Sequence, residues 1–116
     1  MAALDKMNCI PCRGGDPAVT GEQLETFLAQ LTGWEVDESN QVPQLVKTYH
    51  FNEYLDGVNF AARLAAAAEA QDHHPSILIG WRQVTVRWWT HIIGGLHIND
   101  FVSAFQTDLI FTQELD

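Results

Sequence analysis

His73, His74 and His91 fall between a candidate helix end and a candidate strand end, in a stretch that opens at Glu69 and closes at Asp100. Histidine titrates near neutral pH, so imidazoles gathered around one cleft suit general acid–base catalysis. Glu69 and His73 stand four apart, a spacing that puts both on one face of a helix's last turn. A carboxylate in that place favours the charged imidazole and can fix its tautomer, and a helix C-terminus pushes the same way. His74 follows directly and Pro75 restrains the backbone, so the two imidazoles point in different directions. His91 ends a candidate strand beside Gly94-Gly95 and returns to the same rim if that strand begins next to the helix end. Ser76 and Thr90 adjoin the histidines, but nothing marks a covalent nucleophile or an oxyanion hole.

Plainer uses compete for the same residues. His73-His74 reads equally well as a helix C-cap whose rings bond the last free carbonyls. A metal site is a further competitor, with His97 near in sequence, although the His-x-x-x-His helix spacing is missing. Asp100 falls about three residues into a candidate helix, where its carboxylate can cap the N-terminus. Trp34, just after Gly33, is a core residue or a ligand platform. His50, at a strand end, reads as a surface or core residue. Cys9 and Cys12 form Cys-Ile-Pro-Cys with no second pair, and a turn-like Arg13-Gly14-Gly15-Asp16-Pro17 follows. Structural or incidental use is favoured there over zinc or thioredoxin-like redox chemistry.

The elements that must position these residues follow from periodicity. Residues 1–19 form an extended N-terminal arm, and residues 20–116 form the single domain. Thr20 with Gln23 is a capping-box pattern ahead of a helix over 21–32, carrying Leu24, Phe27, Leu28 and Leu31 and ended by Gly33. Trp34 to Asp37 and Gln44 to Phe51 alternate as two strands around a turn at Glu38-Ser39-Asn40. The longest helix runs from Asn52 to Asp72, with Tyr54, Val58, Ala61, Ala65 and Ala68 as its stripe, widened by Leu55 and Ala62. Strands at 76–81 and 83–90 come next, with Val84, Val86 and Trp88 on one face and Trp89 on the other, where it suggests a subunit interface. Trp81, Trp88 and Trp89 are expected mostly to pack. A last helix from about Ile98 to Leu115 carries Ile98, Phe101, Val102, Phe105 and Leu109 on one face. The order α-β-β-α-β-β-α implies an α+β fold: a four-stranded antiparallel sheet with three helices on one face.

Composition bounds the function. The chain has 116 residues, 47% of them hydrophobic and 18% charged, which suits one globular domain. Six basic against fifteen acidic residues give a net charge of −9, which argues against binding nucleic acid or anionic membranes. No apolar run spans a bilayer and no secretory signal opens the chain, so a cytoplasmic protein is expected.

Taken together, Glu69-x-x-x-His73-His74-Pro75, the aromatic Trp81, Thr90-His91, Gly95-Leu96 and Asp100, with Trp34 after Gly33, resemble the pterin-4a-carbinolamine dehydratase family. The resemblance covers about residues 20–115, and the Cys-x-Pro-Cys arm followed by Gly14-Gly15 resembles bacterial-type members. It implies dehydration of 4a-hydroxytetrahydropterin to quinonoid dihydropterin, recycling the pterin used by aromatic amino acid hydroxylases. It implies no metal or redox cofactor and a homodimer or homotetramer. By the same resemblance His73 and His91 are the acid–base groups, and His74 holds the pterin and assists. Glu69 and Asp100 orient the imidazoles, and Trp34 flanks the ring. Trp88-Trp89 stands where an aliphatic and a small polar residue are expected, and His97 replaces the Ser or Thr expected as N-cap of the last helix. Relatives of the family also include non-catalytic binding or assembly proteins, a transcriptional coactivator and a carbon-fixing-enzyme assembly factor among them. Retention of all three histidines favours catalysis.

Overall fold

The computed structural model describes Leu4, Met7, Cys9, Ile10 and residues 16–115, the side chains of the last two excepted. Cys12 and the turn-like residues 13–15 lie outside the described residues. The elements run α1 (Gly21–Leu28), β1 (Glu35–Asp37), β2 (Gln44–His50), α2 (Tyr54–Ala70), β3 (Ser76–Gly80), β4 (Gln83–Trp88) and α3 (Ile98–Leu115), with a 3-10 turn at His91–Ile93 between β4 and α3. This is the expected α-β-β-α-β-β-α order. The sheet is antiparallel throughout, in the order β1-β2-β4-β3. The two central strands, β2 and β4, carry Leu45, Tyr49, Val84, Val86 and Trp88 towards the helices, all buried. On the opposite face the Thr48 and Thr85 hydroxyls pair at 2.8 Å in solvent. One face packs and the other is wet, as the alternation in β4 requires.

The helices close over the packed face. Phe60, Leu64 and Ala68 of α2 meet Phe101, Val102 and Ala104 of α3 in one core cluster that also takes in Phe27 and Leu31. Burial of each large side chain there contributes roughly 1.5–3 kcal/mol. The buried stripe of α2 is Gly57, Phe60, Ala61, Leu64 and Ala68, rotated from the expected one. Tyr54 and Leu55 are exposed instead, because the large Phe60 and Leu64 win the sheet-facing side. Gly57 sits in the first turn of α2, where a side chain would meet Val84 at 3.2 Å and Phe51 at 3.3 Å, so the helix start lies close on the sheet.

Other boundaries shift for local reasons. Thr20 occupies the N-cap position of α1 but makes no side-chain cap bond, so the capping box is absent. Helix α1 stops at Leu28, and the chain reaches Trp34 through a turn in which Gly33 takes φ +86°. Trp88 packs as expected, while Trp81 is 73% exposed at the tip of the β3–β4 hairpin with the Arg82 guanidinium 4.5 Å over its ring. Two described arm residues are anchored in the domain. Leu4 is fully buried, with its amide on Gln30 Oε1, and Val19 N–H donates to Leu96 O at 2.7 Å.

Candidate active site

Helix α2 ends at Ala70, one turn before the loop that carries the paired histidines. Gln71 caps it and Asp72 takes φ +52°, a left-handed conformation that Asp tolerates better than most residues. His73 therefore leaves the helix, and the expected pairing of Glu69 with His73 on one helical face does not form. The partners are exchanged. His74 Nε2–H donates to Glu69 Oε1 at 2.6 Å, and His73 Nε2–H donates to Asp100 Oδ1 at 2.7 Å.

Asp100 is the hub. Its side chain is fully buried, and its second oxygen, Oδ2, accepts from Thr90 Oγ1 and from the His97 backbone N–H, both at 2.9 Å. A carboxylate only accepts, so the neutral His73 ring carries its proton on Nε2 and keeps its lone pair on Nδ1. The ring is stacked on Trp88, centroid to centroid 5.1 Å with a 28° tilt. Trp88 is held in turn by Nε1–H donating to Thr107 Oγ1 at 3.1 Å. Trp88 is thus a floor beneath His73. A narrow cleft lined by Leu64, Ala68, Gln71, Trp88 and Ser103 opens beside the same ring.

The capping role weighed for Asp100 holds alongside its bond to His73. His97 is the N-cap of α3: its Nδ1 accepts from Asn99 N–H at 3.0 Å, while Asp100 returns a bond to the His97 amide. This is a capping box built from His and Asp.

His91 follows Thr90, whose backbone bridges to Gly95, and it lies exposed at the start of the 3-10 turn. Trp89 sits edge-on to it at 5.3 Å and is half-buried against the core. Hydrogen bonds join Thr90 and His73 to Asp100, His91 is tied to that group as the residue after Thr90, and His74–Glu69 is a separate pair beside His73 in the chain. Trp34 belongs elsewhere. It is buried, and its Nε1–H is shared between both carboxylate oxygens of Asp108 at 3.2 Å, with Tyr49 alongside at 6.3 Å.

Asp108 also accepts from Lys47 Nζ at 2.9 Å and from the Tyr49 hydroxyl. Burial first, then the hydrogen bond and charge of Asp108, hold the Tyr49 phenol protonated well above its ordinary range. Sequence reasoning missed Asp108, and it named Thr90 and His97 without giving either its bond to Asp100. The available signal for Asp108 was a carboxylate beside the apolar stripe of α3. Burial also pushes the Cys9 thiol up, so the thiolate needed for metal or redox work is disfavoured there. Among the described residues, no three His, Cys, Asp or Glu side chains form a metal-binding set, and no helix is long and apolar enough to cross a membrane.

Comparison with known proteins gives this arrangement its context. A profile of the family described as Pterin 4 alpha carbinolamine dehydratase matches residues 17–110. The chain belongs to the pterin-4-alpha-carbinolamine dehydratase family. A protein of Vibrio vulnificus provisionally named pterin-4-alpha-carbinolamine dehydratase is 42% identical over 107 residues, covering 92% of this chain and 97% of the relative. One of Syntrophotalea carbinolica with the same name is 39% identical over 110 residues, covering 95% and 98%. Among solved structures, a transcriptional coactivator/pterin dehydratase from Brucella melitensis shares the fold with a TM-score of 0.74 at 24% identity, covering 81% of this chain and 98% of that one. A pterin dehydratase-like protein identified as a RuBisCO assembly factor in the alpha-carboxysome shares it at a TM-score of 0.57 and 24% identity, over 67% and 88%.

Proposed function

We propose that the protein dehydrates a 4a-hydroxytetrahydropterin to the quinonoid dihydropterin and water by histidine acid–base catalysis, recycling the pterin of aromatic amino acid hydroxylases. The observation that carries this reading is the buried Asp100, whose three donors fix the His73 tautomer and leave Nδ1 free to exchange a proton. The elimination breaks the C4a–O bond. One proton goes to the departing hydroxyl, which leaves as water, and one is taken from N5. His73 and His91 share those two transfers, and His74, oriented by Glu69, holds the pterin and assists. The resemblance gives Trp34 a place beside the ring. Its burial and its bonds to Asp108 support a positioning part rather than a contacting one.

The protein acts as a homodimer or homotetramer in this reading. Support comes from β3, an edge strand with no charge and no proline that exposes Leu78 and Ile79 next to Trp81. Light scattering gives the stoichiometry. A non-catalytic assembly role on the same fold is the second reading, favoured by the likeness to the alpha-carboxysome assembly factor. Stopped-flow dehydration of 4a-hydroxytetrahydropterin separates the two. Acceleration above the spontaneous rate supports the enzyme, and a rate equal to the spontaneous one leaves the assembly reading.

A further inference from the structure

The family match begins at residue 17, yet the residues before it bond to the very turn that carries Asp100. The Asn99 side chain clamps the Ile10 main chain from both sides: Ile10 N–H donates to Asn99 Oδ1 at 2.8 Å, and Asn99 Nδ2 donates to Ile10 O at 2.6 Å. Cys9 Sγ lies 3.3 Å from Ser103 Oγ. His97, nearly fully buried, uses Nδ1 to cap α3, so its proton is on Nε2, which donates to Asp16 Oδ2 at 3.2 Å. These bonds all land on residues 97–103, around the one carboxylate that orients His73.

We infer that the described arm residues Cys9, Ile10 and Asp16 act as a strap that positions Asp100, with Asn99 and His97 as positioning residues. The inference rests on the dehydratase reading for its kinetic consequence. The physical reason is that the first turn of a helix has amides with no intrahelical partner and is free to fray. Here the His97 ring satisfies one of those amides and the Asp100 carboxylate holds the His97 amide just outside the helix. The arm then holds the outer side of the same turn through Ile10 and Asp16. A released turn displaces the carboxylate, and a displacement near 1 Å at a catalytic group costs up to about a hundredfold in rate.

Two variants test this in the full-length protein. Asn99→Ala removes both bonds to Ile10. His97→Asn keeps a strong N-cap type but loses the reach to Asp16. Three readouts apply: amide exchange at Ile10, the ring 15N shifts of His73, and the separate kcat and KM of dehydration. In Asn99→Ala the Ile10 amide is expected to lose protection and His73 to show a mixture of tautomers. Its kcat should fall roughly tenfold with KM nearly unchanged. His97→Asn should change the His73 tautomer and kcat in the same direction. The inference is overturned if Ile10 is released while the tautomer and kcat stay at parent values, or if Ile10 stays protected in Asn99→Ala. If the parent itself does not accelerate dehydration, the dehydratase reading fails, and the His73 tautomer alone decides whether the arm positions Asp100.

Discussion

His73 and His74 are neighbours in the chain, and each holds a carboxylate at nearly the same distance, 2.7 Å and 2.6 Å. Their surroundings differ completely. The His73–Asp100 side chains are 13% and 0% exposed, and the His74–Glu69 side chains 56% and 77%. In the buried pair the carboxylate has two further donors and the imidazole has a tryptophan floor. Water competes for the exposed pair and salt screens it, so it contributes little fixed geometry. Equal distances therefore describe unequal devices: the first holds one tautomer in one place, and the second leaves an imidazole able to move with a ligand.

The largest expected effect separates the two histidines kinetically. His73→Ala should lower kcat by roughly 10²–10⁴-fold, the usual worth of a positioned acid–base group. His74→Ala should act mainly on KM. Steady-state dehydration kinetics check both, and equal kcat losses would break the contrast.

Stability should divide the carboxylates the same way. Asp100→Ala leaves the Thr90 hydroxyl, the His97 amide and the His73 ring N–H without their acceptor. At about 1–3 kcal/mol for each buried unsatisfied group, the loss should be roughly 3 kcal/mol or more in urea unfolding. Glu69→Ala should change stability by less than about 1 kcal/mol.

Asp108 sharpens the comparison as a carboxylate of intermediate burial, 27% exposed. Because the folded Tyr49 phenol titrates far above its unfolded value of 10.0, the stability it contributes is intact below pH 10. Above that, the unfolded state ionises first and stability falls as pH rises. Tyr49→Phe should cost about 1 kcal/mol at neutral pH and reduce that alkaline fall, measured by urea midpoints across the range.

The element order and the packed face of β4 were legible because alternation and helical periodicity are local. Which partner each histidine takes was not, since it turns on Asp72 adopting a left-handed conformation two residues beyond Ala70. Spacing alone made Asp100 an ordinary capping carboxylate; the family resemblance implied that it orients an imidazole, and its place against His73, 27 residues earlier, is a long-range contact. The sheet order β1-β2-β4-β3, which brings Thr90 and Trp88 beside that loop, is a long-range fact. His97 stands out in the sequence as a departure from the expected Ser or Thr, but the capping bond of its ring nitrogen depends on how the folded turn orients the ring.

The most direct test of the buried-pair account compares two near-isosteric changes, Asp100→Asn and Glu69→Gln, in stopped-flow dehydration of 4a-hydroxytetrahydropterin. Each keeps shape and removes charge. Asp100→Asn should lower kcat by roughly tenfold or more, and Glu69→Gln should leave it within about twofold. Equal losses, or a larger loss from Glu69→Gln, would contradict the claim that the buried carboxylate sets the catalytic imidazole.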